Sequence, residues 1–209
     1  MRLHQVILAS LLPAASLASS SDAAIIAFTQ QSVWQLFSSS NGTFQVTETF
    51  DNYASGAYAP ALSGSAGGVA WTAAALGGIE VGTVAGSKAL STVDPVALTL
   101  TFSGTPVQGI GANVFGTDAG FAVVPIVVRV TLFDGTSIVR TMSGADSFLG
   151  VWSTGAGITS IQVLATPGSG SALPTFATID NLTFAVVPAP AAFLSLAAAI
   201  AAPRRRRRA

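Results

Sequence analysis

The rhythm of short apolar segments is what most constrains this chain. From Ala24 to Ala185, runs rich in Val, Ile, Phe and Thr recur at roughly 8–12-residue spacing with Gly and Asp turns between them, the pattern of a β-sandwich. Phe44 to Phe50 alternates Phe44, Val46 and Glu48 against Gln45, Thr47 and Thr49, which predicts a half-buried strand. Further strands are predicted over Ala24–Phe28, Val69–Ala75, Gly78–Val84, Val96–Phe102, Gly109–Phe115, Ile126–Phe133, Phe148–Trp152, Ile158–Leu164 and Thr175–Ala185. Asp134-Gly135 predicts a hairpin between Val130–Phe133 and Ser137–Arg140. Gln30 to Ser38, with Val33, Trp34 and Phe37 at helical spacing, predicts the one helix, and the Gly-, Ala- and Ser-rich stretch Tyr53–Gly68 a long surface loop. No βαβ rhythm is present, so the expected fold is all-β.

The two ends read as addresses rather than as domain. Arg2 and His4 precede an apolar run from Val6 to Leu17, and Ser16-Leu17-Ala18 offers small residues where a signal peptidase reads them. Residues 1–18 are therefore read as a signal peptide, with Ala24 a second candidate for the cut. At the other end, Val187-Pro188-Ala189-Pro190-Ala191 leads into an apolar run from Ala192 to Ala202, then Pro203 and the cluster Arg204, Arg205, Arg206, Arg207 and Arg208. A membrane span needs about 20 apolar residues, and this stretch is shorter and opens on two prolines. Residues 186–209 read as a processed sorting signal with a hydrophobic helix, inserted in the membrane only transiently because the arginines resist crossing. Residues 19–185 remain as one domain of ordinary size.

Removing the ends changes the electrostatics. The chain carries nine basic and nine acidic residues, but Arg2 and Arg204 to Arg208 lie in the end segments. Lys88, Arg129 and Arg140 are left against nine acids, a net charge of −6, which excludes a nucleic-acid footprint. The chain has no cysteine, and its one histidine is His4. Ser-His and Cys-His catalysis, zinc sites of His or Cys, and haem or iron–sulfur ligation are thereby excluded from the mature domain. Carboxylate chemistry of the glycosidase kind survives, along with a Ser-Lys arrangement around Lys88, but the two glutamates, Glu48 and Glu80, form no local pair, and no Glu-x-Asp-x-Glu arrangement occurs.

Gly109-Ile110-Gly111-Ala112-Asn113 lacks the third glycine and the following helix of a dinucleotide loop. Asn41-Gly42-Thr43 and Asn181-Leu182-Thr183 match the glycosylation sequon by chance. Trp71 and Trp152 are expected in the core rather than as sugar-stacking platforms. Glu48 and Asp51 lie at the end of an early strand and Asp180 in the last one. If those strands are neighbours, the three carboxylates are candidate ligands for a structural calcium ion, the alternative being solvated or turn-capping side chains.

The tail resembles the PEP-CTERM class of exosortase sorting signals, and Val187 to Ala191 is similar to the Val-Pro-Leu-Pro-Ala variant, with Ala189 where that variant has leucine. Glu48-Thr49-Phe50-Asp51, Gly109 to Phe115, Leu132 to Thr136, Ser147 to Val151 and Ile179 to Leu182 resemble the extracellular β-sandwich common in PEP-CTERM proteins, itself similar in outline to jelly-roll carbohydrate-binding modules. The resemblance implies export, processing by signal peptidase and an exosortase-type enzyme, and residence at the cell surface or in extracellular polysaccharide. It also implies a jelly-roll-like sandwich with one short N-terminal helix. Two functions fit: a non-catalytic surface or matrix protein that binds polysaccharide, and a polysaccharide-active enzyme using a carboxylate pair.

Overall fold

The computed structural model describes residues 24–168 and 174–188. The expected signal peptide over 1–18 and the part of the expected sorting signal from Ala189 onward, arginines included, lie outside the described residues. Among the described residues, no helix is long and apolar enough to cross a membrane.

Among the described residues, fifteen strands and one helix follow in the order β1 (Ile25–Phe28), α1 (Gln31–Ser40), β2 (Phe44–Glu48), β3 (Gly56–Tyr58), β4 (Ala61–Ala66), β5 (Val69–Ala74), β6 (Ile79–Val84), β7 (Ser87–Thr92), β8 (Leu98–Gly104), β9 (Val107–Thr117), β10 (Val123–Val124), β11 (Ile126–Leu132), β12 (Ser137–Met142), β13 (Phe148–Ser153), β14 (Ser160–Pro167) and β15 (Phe176–Val186). They form two antiparallel sheets. The larger runs β1-β13-β9-β15-β7-β6-β3, with β10 on β9 and β2 on β15; the smaller runs β12-β11-β14-β8-β5-β4. The fold is a β-sandwich, as the strand rhythm predicts.

The smaller sheet has one wet face and alternates accordingly: Leu98, Leu100 and Phe102 of β8 are buried, while Thr101 and Ser103 are exposed. The larger sheet is covered on both faces over part of its area. On β13, Leu149 and Val151 enter the central core, whereas Phe148 and Trp152 pack on the outer face against α1. At the other end, Phe121 and Val123 cover Val84, Ala89 and Phe115. Strands β13 and β15 are consequently buried along nearly their whole length.

One irregularity shapes the centre. β15 is bulged between Asp180 and Thr183, and Asn181 there has φ 51°. The inward positions shift from Ala177 and Ile179 to Leu182, Phe184 and Val186. The neighbour changes at the same place, β7 pairing with Thr178 and Ile179, β2 with Leu182 to Val186.

The expected loop over Tyr53–Gly68 is corrected: it holds β3 and β4, with β4 paired to β5 along its whole length. Its residues are too small to show an apolar period: of β4, Leu62 is buried in the core and Ala66 packs partly buried against it. β7 is also a strand that apolar periodicity does not mark, since Ser87, Lys88, Ser91 and Thr92 surround Ala89 and Leu90.

Candidate functional site

Strands β2 and β15 are neighbours, with Glu48 opposite Leu182, so the carboxylates singled out from sequence do converge on one region. Asp180 sits in the bulge, 7% exposed, and its Oδ1 accepts the Asn181 N–H at 2.6 Å. Burial pushes its carboxyl above the usual range, and the charge of Asp51 adds to that; the Asn181 N–H and the Ser87 hydroxyl pull the other way. Asp51 and Asp180, remote in sequence, are therefore within electrostatic reach of each other.

Each acid is also engaged locally. Glu48 Oε1 accepts the Phe50 N–H at 3.0 Å, and Asp51 Oδ1 accepts the Lys88 N–H at 3.3 Å. Lys88 Nζ donates to the Tyr53 carbonyl. Tyr53's phenol is raised, chiefly by burial and then by the charges of Glu48 and Tyr58. Among the described residues, no group of three or more His, Cys, Asp or Glu side chains is arranged to hold a metal ion.

The tryptophans are core. Trp71 is 1% exposed and meets Phe50 and Tyr53 edge to face at centroid distances of 5.6 and 5.8 Å. Trp152 is buried under α1, its ring 5.5 Å from that of Phe37. Neither offers a face to a sugar. Gly109 to Asn113 lies inside β9 with no helix after it, in keeping with the rejection of a nucleotide loop. Of the expected sorting motif, Val187 and Pro188 lie within the described residues; Val187 N–H donates to the Pro106 carbonyl at 3.3 Å.

A second region carries side chains that the sequence did not single out as a group. On the outer face of the larger sheet, Glu80, Ser91, Asp118, Phe121 and Phe176 line a hollow of about 130 Å³. An adjoining hollow of about 240 Å³ shares Asp118, Ala119 and Phe176 and continues to Pro174. Four different segments supply these residues, and no local spacing announces them.

No family model matches the chain, and no curated protein matches it. Among solved structures it is similar to a family 29 carbohydrate-binding module complexed with cellulohexaose, at 11% identity and a TM-score of 0.33, over 68% of this chain and 92% of that one. A likeness at this level carries no argument about ligand or activity.

Proposed function

We propose that the chain is an exported, exosortase-processed cell-surface or extracellular-matrix protein whose non-catalytic β-sandwich binds polysaccharide. The observation that carries the processing half is where the strands stop. β15 ends at Val186, and the Val187-Pro188 start of the sorting motif follows at once. A cut within or after the motif removes no strand of the described residues. Proline at 188 has no N–H to continue the ladder, so the sheet ends where the recognition sequence begins.

The N-terminal end supports the same reading. β1 begins at Ile25, and Ala24 N–H donates to Thr154 Oγ1 at 2.9 Å while the Ala24 carbonyl accepts the Thr154 N–H at 3.0 Å. A cut after Ala24 would disturb that pair; a cut after Ala18 leaves it whole. The non-catalytic half is supported by the absence of His and Cys from residues 19–185 and by Glu48, whose carboxylate accepts the Phe50 N–H.

Intact-mass measurement on protein recovered from the cell surface or medium tests the proposal. The expected product lacks the residues before Ser19 and the cluster Arg204 to Arg208. A full-length chain retained in the inner membrane would overturn it.

A further inference from the structure

The hollow on the outer face of the larger sheet is built rather than incidental. Ile79, Val81, Leu90 and Ile179 face the core, so by strand alternation Glu80, Gly82, Ser91 and Thr178 face outward. A hydroxyl row crosses this face: Ser91 Oγ and Thr117 Oγ1 each lie 2.9 Å from Thr178 Oγ1. Over it stands the turn after β9. Asp118 Oδ1 accepts the Gly120 and Ala122 N–H groups at 2.8 and 2.9 Å, and the Asp118 carbonyl accepts the Phe121 N–H at 3.1 Å. That turn holds Phe121 at φ 62°, a conformation a bulky side chain rarely adopts. Its ring lies directly on Gly82, where any Cβ would overlap it.

The result is a hollow with carboxylates from Glu80 and Asp118, a hydroxyl from Ser91, and ring surface from Phe121 and Phe176. A pyranose ring matches this division, because its hydroxyls donate to carboxylates while its C–H face packs on an aromatic ring. The hollow is small beside the roughly 300–1,000 Å³ of a drug-sized pocket, so it holds one ring while the rest of a chain runs on through the adjoining hollow past Pro174.

Charge narrows the class. Among the described residues, no Lys or Arg lines either hollow. Lys88 is committed to the Tyr53 carbonyl, and Arg129 and Arg140 lie on β11 and β12 of the opposite sheet. A uronate or sulfated glycan would meet two carboxylates and no cation. A metal ion is disfavoured because no third acidic ligand joins Glu80 and Asp118 among the described residues. We propose that this cleft is a binding site for a neutral hexose unit of a polysaccharide, with Glu80 and Asp118 accepting from its hydroxyls and Phe121 stacking on its ring. The site rests on the polysaccharide-binding reading above and gives it a location and a ligand class.

The test is calorimetric binding of neutral glucan, mannan and galactan hexasaccharides, with a glucosamine and a uronate hexasaccharide beside them. The protein is the form recovered from the cell surface, as wild type, Glu80→Gln and Phe121→Ala, with Gly82→Ala as a third variant that displaces the Phe121 ring. The wild type is expected to bind at least one neutral hexasaccharide, with little change on raising salt to about 1 M, where the Debye length is about 3 Å. Glu80→Gln and Phe121→Ala should each weaken binding about tenfold or more, with the melting temperature of Glu80→Gln unchanged. Neutral-glycan binding that survives all three substitutions would overturn this site while leaving polysaccharide binding intact. Preference for the glucosamine or uronate chain would overturn the ligand class, and a wild type that binds none of the panel would overturn the polysaccharide reading itself.

Discussion

Helix α1 is docked chiefly by one side chain, and removing it should have a large and structured effect. The helix has ten residues and no side-chain hydrogen bond at its N-cap. Isolated helices shorter than about 12–15 residues are marginal in water, so packing must hold it. Trp34 is fully buried, and its indole N–H donates to the Val151 carbonyl at 3.3 Å. The slot exists because β9 and β13 carry glycine there: a Cβ on Gly150 would come 2.5 Å from the indole Cδ1, and one on Gly111 3.2 Å from Cε3. Trp34→Ala should cost about 3–5 kcal/mol, which in a domain of this size lowers the melting temperature by about 6–20 °C. Gly150→Ala alone should cost about 1–3 kcal/mol by overpacking. The Trp34→Ala background removes the two closest contacts of the added methyl and leaves Phe148 Cε1 at 2.9 Å to shift, so the double variant should be more stable than the sum of the singles by about 1 kcal/mol or more. Urea unfolding of the four proteins, followed by far-ultraviolet circular dichroism, measures this cycle. A loss under about 1 kcal/mol for Trp34→Ala, or strict additivity, would refute the docking argument.

Asp180→Asn should stabilise the protein at neutral pH, because the folded state holds the ionised carboxyl at a disadvantage. The folded pKa lies above the ordinary 3.8, so the wild type recovers as pH falls through that raised value, and the advantage of Asn should vanish below the ordinary one. Equal differences in unfolding free energy at pH 7 and at acid pH would contradict this. Thr178→Val should cost about 1–3 kcal/mol by leaving the Ser91 and Thr117 hydroxyls short of a partner in a buried row, and Thr178→Ser should restore most of it in the same unfolding assay. Calcium at Glu48, Asp51 and Asp180 remains a proposal and would require Glu48 to turn from the Phe50 N–H. It predicts a melting temperature about 2–4 °C higher per kcal/mol of binding in excess calcium than in chelator, and equal temperatures would remove it.

The legible strands were those with an apolar period, as on β11, or a near-continuous apolar run, as on β13. On β11 and β12 the alternation and the Asp134-Gly135 turn specify the hairpin, and the pairing of Val128 with Arg140 and Val130 with Ile138 follows. α1 was legible from the spacing of Val33, Trp34 and Phe37, although Val33 is 47% exposed and Trp34 alone is deeply buried. Strands β3, β4 and β7 were not, because Gly, Ala and Ser at paired positions look like loop composition when the partner strand is not in view. The proximity of Asp51 and Asp180 was readable only as a conditional, since it depends on β2 lying beside β15.

The cleft was illegible for a related reason that is also its physical basis. A nine-stranded sheet offers more outer face than one short helix can cover, and the chain divides that face between α1 at one end and the Phe121 turn at the other. Each cover needs bare backbone beneath it: Gly111 and Gly150 under Trp34, Gly82 under Phe121. In sequence such glycines read as weak points within strands. In the fold they are where large aromatic rings press onto the sheet, and they set how far each cover reaches. Beyond the edge of the Phe121 cover the outward side chains turn polar, with Glu80 and Ser91 on adjacent strands. The boundary between a ring seated on glycine and a carboxylate left in the open is therefore fixed by backbone packing. A ligand with one apolar face and a rim of hydroxyls meets both sides of that boundary at once.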